Sequence, residues 1–304
     1  MKNKILVLMG GLSGEREISI LTGRACMKAL RNKKYKVVSL DPKGNFITEL
    51  RKIKPSIVFN ALHGRFGEDG FVQSILELEK IKYTHSGVFA SSVAIDKYIS
   101  KQIFIKKKIN TPKYFIYDYN QKLNINVSIR KKNLKFPIVI KPINEGSSLG
   151  VYICSKKNLK KNLNKLKNYN QILVEEYIPG REIQVAVINK KALGAIELRP
   201  KRKFYDYSAK YSKKAKTLHI MPAPMSLRKY NEVLKLATKA HNALKCKGIT
   251  RSDFRYYKKK FYLLEVNTQP GMTQLSLVPE IAAYNGIKFD DLVEWMIKDA
   301  SYNR

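Results

Sequence analysis

Acidic residues are scarce in this chain: 24 Asp and Glu stand against 59 Lys and Arg in 304 residues, a formal net charge of +35. Histidine (four), cysteine (three) and tryptophan (one) are rarer still. Cys26, Cys154 and Cys246 are odd in number and too widely spaced for a thiolate metal site, which excludes a fully paired disulfide framework. They read as reduced, buried thiols of a cytoplasmic protein. No apolar stretch reaches the roughly 20 residues that cross a bilayer. The short apolar run 5–9 behind Met1-Lys-Asn-Lys lacks the length and cleavage pattern of a secretory signal.

An excess of positive charge favours polyanions if it is clustered. Here basic residues run along nearly the whole chain. The stretch 156–167 is representative: Leu159, Leu163 and Leu166 recur at helical spacing with lysines between them, an amphipathic helix with a solvated basic face. The dispersion reads as compositional bias, and neither a nucleic-acid nor a membrane partner is expected. In so basic a chain the surviving acids are informative, because many of them fall inside a few short motifs.

At 44% hydrophobic residues the chain holds enough apolar surface for buried cores, and its length implies two or three packed units. Residues 4–9, 36–40 and 56–62 read as strands, with helices over 15–30 and 70–78 between and after them. This βαβ rhythm predicts a doubly wound parallel sheet over 1–96, with ligands at the carboxyl ends of its strands, where Gly10-Gly11 and His63-Gly64 lie. A basic helix to about residue 108, ended by Thr111-Pro112, opens a smaller α+β unit over 97–181. It carries strands at 136–141, 151–154 and 171–177. Strands dominate 182–304 (182–187, 192–197, 249–256, 260–266), with helices at 227–244 and 290–298. The polar, tyrosine-rich stretch 199–217 has no core periodicity, as expected of an active-site cover or a disordered segment.

Three motifs carry chemistry. In Leu264-Glu265-Val266-Asn267-Thr-Gln-Pro-Gly271-Met272, residues two apart share a strand face, so Glu265 and Asn267 project together while Leu264 and Val266 pack inward. Pairing with Arg251-Ser252-Asp253 through a turn at 257–260 would set Asp253 beside Glu265. Three oxygen donors without His or Cys suit Mg2+ completed by water and substrate phosphate; an ordinary hairpin with polar outward residues fits the same string. Lys141-Pro-Ile-Asn-Glu145-Gly146-Ser147-Ser148-Leu149-Gly150 follows an apolar strand and offers backbone donors, hydroxyls and a point charge to phosphate, or serves as a plain turn. Glu175-Glu176-Tyr177-Ile178-Pro179-Gly180-Arg181-Glu182 could bond an adenine amine and ribose hydroxyls beside an apolar slot, or form a charged turn.

These pieces in this order resemble the ATP-grasp superfamily, and further motifs resemble its D-alanine–D-alanine ligases. They are Gly10-Gly11-Leu-Ser13-Gly-Glu15-Arg16-Glu-Ile-Ser19, His63-Gly64-Arg-Phe-Gly67-Glu68-Asp69-Gly70, Phe204-Tyr205-Asp206-Tyr207-Ser-Ala209-Lys210-Tyr211 and Glu265-Val-Asn267-Thr-Gln-Pro-Gly271-Met272-Thr-Gln-Leu-Ser276-Leu277-Val-Pro. The similarity runs from about residue 4 to 298. It implies a two-part ATP-grasp fold after the N-terminal sheet and ATP-dependent joining of two D-alanines through an acyl phosphate. A related carboxylate–amine or D-alanyl-D-lactate ligase is the alternative. The resemblance places Lys97, Lys141 and Lys210 with ATP, Glu175 and the segment Glu176, Tyr177, Ile178 at adenine, and Glu182 at the ribose. It places two Mg2+ (or Mn2+) on Asp253, Glu265 and Asn267, and Arg251 with the Gly271 N–H at the oxyanion. Glu15 and His63 would hold the first D-alanine, Ser276 and Leu277 the second, and Tyr211 would reach Ser147 and Glu15 as a lid. It also implies a homodimer. Glu176 and Tyr177 depart from the lysine and tryptophan common in relatives, whereas Tyr211 keeps the tyrosine of dipeptide-forming ligases.

Overall fold

Four consecutive residues of β1 (Lys4–Leu8), Ile5 to Leu8, are wholly buried, and their alternation explains the first layer. Ile5 and Val7 point to one side, against Cys26, Met27 and Leu30 of α1 (Arg16–Asn32); Leu6 and Leu8 point to the other, against Phe46 and Leu50 of α2 (Phe46–Ile53). A strand covered on both faces belongs to a parallel sheet. The order is β2-β1-β3-β4, with β2 Lys36–Leu40, β3 Ile57–Asn60 and β4 Lys82–Tyr83, all parallel. Helix α3 (Phe71–Leu78) completes this layer; α4 (Val88–Ile95) follows, its Ala90, Val93 and Ala94 packing in a different core with Phe254 and Val266. The computed structural model describes residues 4–121, 124–146, 148–200 and 217–304.

Asp96 starts the next helix: its carboxylate accepts from the N–H groups of Tyr98 and Ile99, both at 2.9 Å, and caps α5 (Lys97–Lys106), whose Phe104 packs with Phe254 and Phe261. A four-stranded antiparallel sheet follows in the order β5-β8-β6-β7, with β5 Tyr114–Asp118, β6 Ile138–Pro142, β7 Tyr152–Cys154 and β8 Gln171–Glu176. Helices α6 (Ile125–Lys131) and α7 (Leu159–Lys165) cover it. Leu159 and Leu166 are buried in its core and Leu163 packs against them, the stripe expected from their spacing.

The third sheet is antiparallel, in the order β11-β10-β9-β12-β13, with β9 Arg181–Ile188, β10 Lys191–Arg199, β11 Leu218–Ile220, β12 Ile249–Tyr257 and β13 Lys260–Asn267. Ile183, Val185 and Val187 of β9 face α8 (Leu227–Ala243), whereas Ala186 faces the core shared with the first layer. That shared core also takes in α9 (Leu277–Tyr284) and α10 (Phe289–Asp299). The three cysteines are free and buried, and burial pushes the thiols of Cys26, Cys154 and Cys246 up in pKa. Among the described residues no helix is long and apolar enough to cross a membrane. The stretch 201–216, with Lys210 and Tyr211, and also Ser147, lie outside the described residues.

Several short elements are absent from the sequence pattern: α2, α4, β4, β5, α6, β11 and α9. One expectation fails for a definite reason. A bulge separates Asp253↔Glu265 from Phe254↔Leu263, so the alternation slips by one residue at Leu264. Leu263 is wholly buried and packs in the core, while Leu264 turns to the cleft. Leu263→Ala should therefore cost about 2–5 kcal/mol by urea unfolding, and Leu264→Ala less than about 1 kcal/mol; equal losses would contradict the bulge.

Candidate active site

The register of three strands sets the floor of a cleft between the second and third sheets. Asp253 lies opposite Glu265 on one side and Gln184 on the other, and Arg251 opposite Asn267. Residues directly opposite share a face, so Arg251, Asp253, Glu265, Asn267 and Gln184 converge. Arg251 grips Asp253 with both arms, Nε to Oδ1 at 2.7 Å and Nη2 to Oδ2 at 2.9 Å. The Asn267 Oδ1 accepts from the Gln269 N–H at 2.8 Å. Gln269 in turn accepts from Asn60 Nδ2 at 2.9 Å and donates to the Leu62 carbonyl, which ties the loop after β13 to the carboxyl end of β3.

Lysines close the cleft from above. Lys97 opens α5, where the helix dipole disfavours a cation; it nonetheless sits buried, donating to the Glu145 carbonyl at 2.5 Å and lying 3.6 Å from Glu265. Burial lowers its pKa, against the pull of Glu265. Lys141, from β6, meets Glu175 Oε1 at 2.6 Å. Behind Glu175 stands Lys101, one turn along α5 from Lys97 and 3.0 Å from Oε2. Burial would raise the Glu175 pKa, but Lys101 and Lys141 together outweigh it and hold the carboxyl below the ordinary range.

Two connected cavities occupy the cleft. The smaller, about 90 Å3, is walled by Lys141, Glu175, Glu176, Tyr177, Ile178 and Glu182, with Val139 and Leu264 supplying apolar surface. Glu182 lies near Gln184 (3.3 Å) and Arg255 (3.8 Å). The larger, about 630 Å3, contains Glu15, His63, Gln184, Arg251, Gly271, Ser276 and Leu277. Lys97, Glu145 and Glu265 line both, so the two form one path. Of the residues expected from the sequence, all but Ser147, Lys210 and Tyr211 are thus brought to one cleft. Lys101 and Gln184 escaped sequence reasoning, whereas Glu145 was read only as part of its loop and Leu264 as a core residue. The spacing of Lys101 one helical turn from Lys97 and of Gln184 two residues from Glu182 are the signals that could have found them.

The larger cavity is built around two fixed groups. The His63 ring is held on both sides, Nδ1 by Glu68 at 3.1 Å and Nε2 by the Thr22 hydroxyl at 3.0 Å. Glu15 is buried between two glycines: a Cβ on Gly64 would fall 2.8 Å, and one on Gly146 2.7 Å, from its Oε2. Ser276 precedes α9, its Oγ accepting from the Thr273 N–H at 3.0 Å beside Gly271. Leu277 begins the helix with its side chain in the shared core.

Two antiparallel sheets closing on a lysine-walled slot, fed by a parallel sheet, define the ATP-grasp class. The description "D-ala D-ala ligase C-terminus" belongs to the family model that matches residues 103–298. The D-alanine–D-alanine ligase of Pelagibacter ubique (strain HTCC1062) is 58% identical over the full length of both chains. That of Wolbachia pipientis wMel is 47% identical over 97% of this chain and 94% of its own. A crystal structure of the enzyme from Bacillus anthracis complexed with ATP superposes with a TM-score of 0.85 at 30% identity, covering 98% of this chain and 97% of that one. The chain belongs to the D-alanine–D-alanine ligase family. Because Glu15 has no room beside Gly146, Gly146→Ala should lower kcat on the order of a hundredfold while moving the melting temperature by only a few degrees, about the range of a 1 kcal/mol change. Unchanged turnover would show that Glu15 needs no such seat.

Proposed function

We propose that the chain joins two D-alanines into D-alanyl-D-alanine with conversion of ATP to ADP and phosphate, supplying a peptidoglycan precursor. The observation that carries this reading is the single path from the lysine slot, past Lys97 and Glu265, into the cavity of Glu15, His63, Arg251 and Ser276. A phosphate donor and a carboxylate acceptor would meet where the two cavities join.

In this reading Ile178, Leu264 and Val139 sandwich adenine against the backbone of residues 176–178, and Glu182 takes the ribose. Lys141 and Lys97 neutralise the polyphosphate, and Lys97, shared by both cavities, stands at the transferring γ-phosphoryl group. The first D-alanine, its ammonium toward Glu15 and His63, is phosphorylated on its carboxylate. The second, held by Ser276 and Leu277, attacks that acyl phosphate through its amine. Arg251 and the Gly271 N–H stabilise the tetrahedral oxyanion, a kind of contact worth about 3 kcal/mol where measured elsewhere. Phosphoryl transfer asks for positioning and charge neutralisation more than covalent help, which suits a site built from lysines, an arginine and backbone donors.

The donor set fits a hard divalent cation: Asp253, Glu265 and Asn267 are oxygen ligands on one face, with neither His nor Cys among them. Among the described residues no three His, Cys, Asp or Glu side chains group closely enough to hold a metal on their own, so nucleotide phosphates would complete the shell. Two Mg2+ (or Mn2+) bound there would screen the polyphosphate and polarise its γ-phosphorus. Ser147, Lys210 and Tyr211 belong to the same reading as lid and phosphate contacts, on the family resemblance, which also supports a homodimer. The three protonated, buried thiols accord with a cytoplasmic setting.

Phosphate release measured with D-alanine, D-lactate, D-serine and L-alanine as second substrates tests the assignment. D-alanine should be the productive acceptor; release only with another would remove the dipeptide reading in favour of the depsipeptide or a related ligase. Glu265→Gln should abolish turnover while leaving the urea unfolding midpoint nearly unchanged, and near-normal activity would remove Glu265 from the metal set.

A further inference from the structure

Lys101 is wholly buried and lines neither cavity. A lysine so placed is costly unless paired and hydrogen-bonded. Its ammonium donates to the Thr111 hydroxyl at 2.6 Å, lies 3.0 Å from Glu175 Oε2 and sits 5.4 Å from the centre of the Tyr114 ring. Glu175 thus stands between two ion pairs, Lys101 at Oε2 and, from the slot side, Lys141 at Oε1 at 2.6 Å. Lys97 and Glu265 are the other charges acting on this cluster. Burial lowers the Lys101 pKa to about 8, with the Glu175 charge opposing the shift.

The order of charges along this line matters: Lys101, then Glu175, then Lys141, then the slot. If Glu175 and Lys141 stood alone, they would form a neutral pair, and the lysine would present little net charge to a polyphosphate. A second cation behind the carboxylate satisfies it from the side away from the ligand. We infer that Lys101 is a positioning residue for nucleotide binding: by neutralising Glu175 from behind, it leaves the Lys141 charge available to the ATP phosphates. The inference rests on the ATP-dependent reading above and deepens it, since Lys101 itself never reaches the ligand.

The test is steady-state phosphate release by the full chain, with ATP varied at saturating D-alanine and then the reverse. Lys101→Met should raise KM for ATP about tenfold or more, because an acid is left buried with a single partner, while KM for D-alanine stays within about twofold of wild type. Lys101→Arg should restore most of the ATP affinity. Because Lys101→Met could fail to fold with its acid stranded, the double variant Lys101→Met/Glu175→Gln supplies the second arm. It removes both charges of the rear pair and should bind ATP within about threefold of Glu175→Gln alone, a large departure from additivity. The inference is overturned by a Lys101→Met enzyme with both KM values unchanged or both raised alike, or by a double variant weaker toward ATP than Glu175→Gln by as large a factor as Lys101→Met is weaker than wild type. These variants are judged against a wild type that turns over; a wild type releasing no phosphate with ATP and any D-amino acid would instead remove the ligase reading itself.

Discussion

Antiparallel register is the constraint on which the cleft depends. Arg251 and Asp253 on β12 meet Asn267 and Glu265 on β13 only at one alignment, and β9 adds Gln184 to the same face through its own pairing with Asp253. Slipping β13 by one residue would turn Glu265 and Asn267 into the core packed against α8 and bring Val266 out to the cleft. The hydrophobic demand of that core therefore holds the polar groups in place, although it makes no contact with a ligand. Gln269, bonded to Asn60 and Leu62, extends the same alignment to the first sheet.

Much of this was legible because it is local. Buried parallel strands show as apolar runs, the amphipathic helices show their leucines at helical spacing, and pairing Asp253 with Glu265 needs only the short turn between β12 and β13. What stayed hidden has identifiable causes. Helix α4 buries Ala90, Ser91, Val93 and Ala94 on one face but exposes Phe89 on the other, so its sequence shows no polar stripe. Helix α9 carries Pro279 as its third residue, where proline is tolerated because its missing N–H would have no partner, yet in a sequence it reads as a breaker. The bulge at Leu264 breaks a period-two pattern that is otherwise intact, and no residue there announces it. The Lys101–Glu175 pair joins positions far apart in the chain, which periodicity cannot connect.

Scarcity of acids gives the site its electrostatic character. Glu175, Glu265 and Asp253 are each in contact with lysine or arginine, and the cations around them outnumber them. These three carboxylates thus hold basic side chains in one position, and the cleft keeps an excess of positive charge. The surface lysines, spread over many elements, share no such geometry.

The seat of Glu15 has a consequence for how two layers of the molecule are tied together. Glu15 stands at the mouth of the parallel sheet, while Gly146 belongs to the loop between β6 and β7 of the second sheet, and the bare glycine is what allows the two to touch. The contact joins the first layer to the second, so displacing that loop would uncover a buried carboxylate. Loop and carboxylate are thus coupled through one unsubstituted backbone position, and neither can shift without the other losing its neighbour.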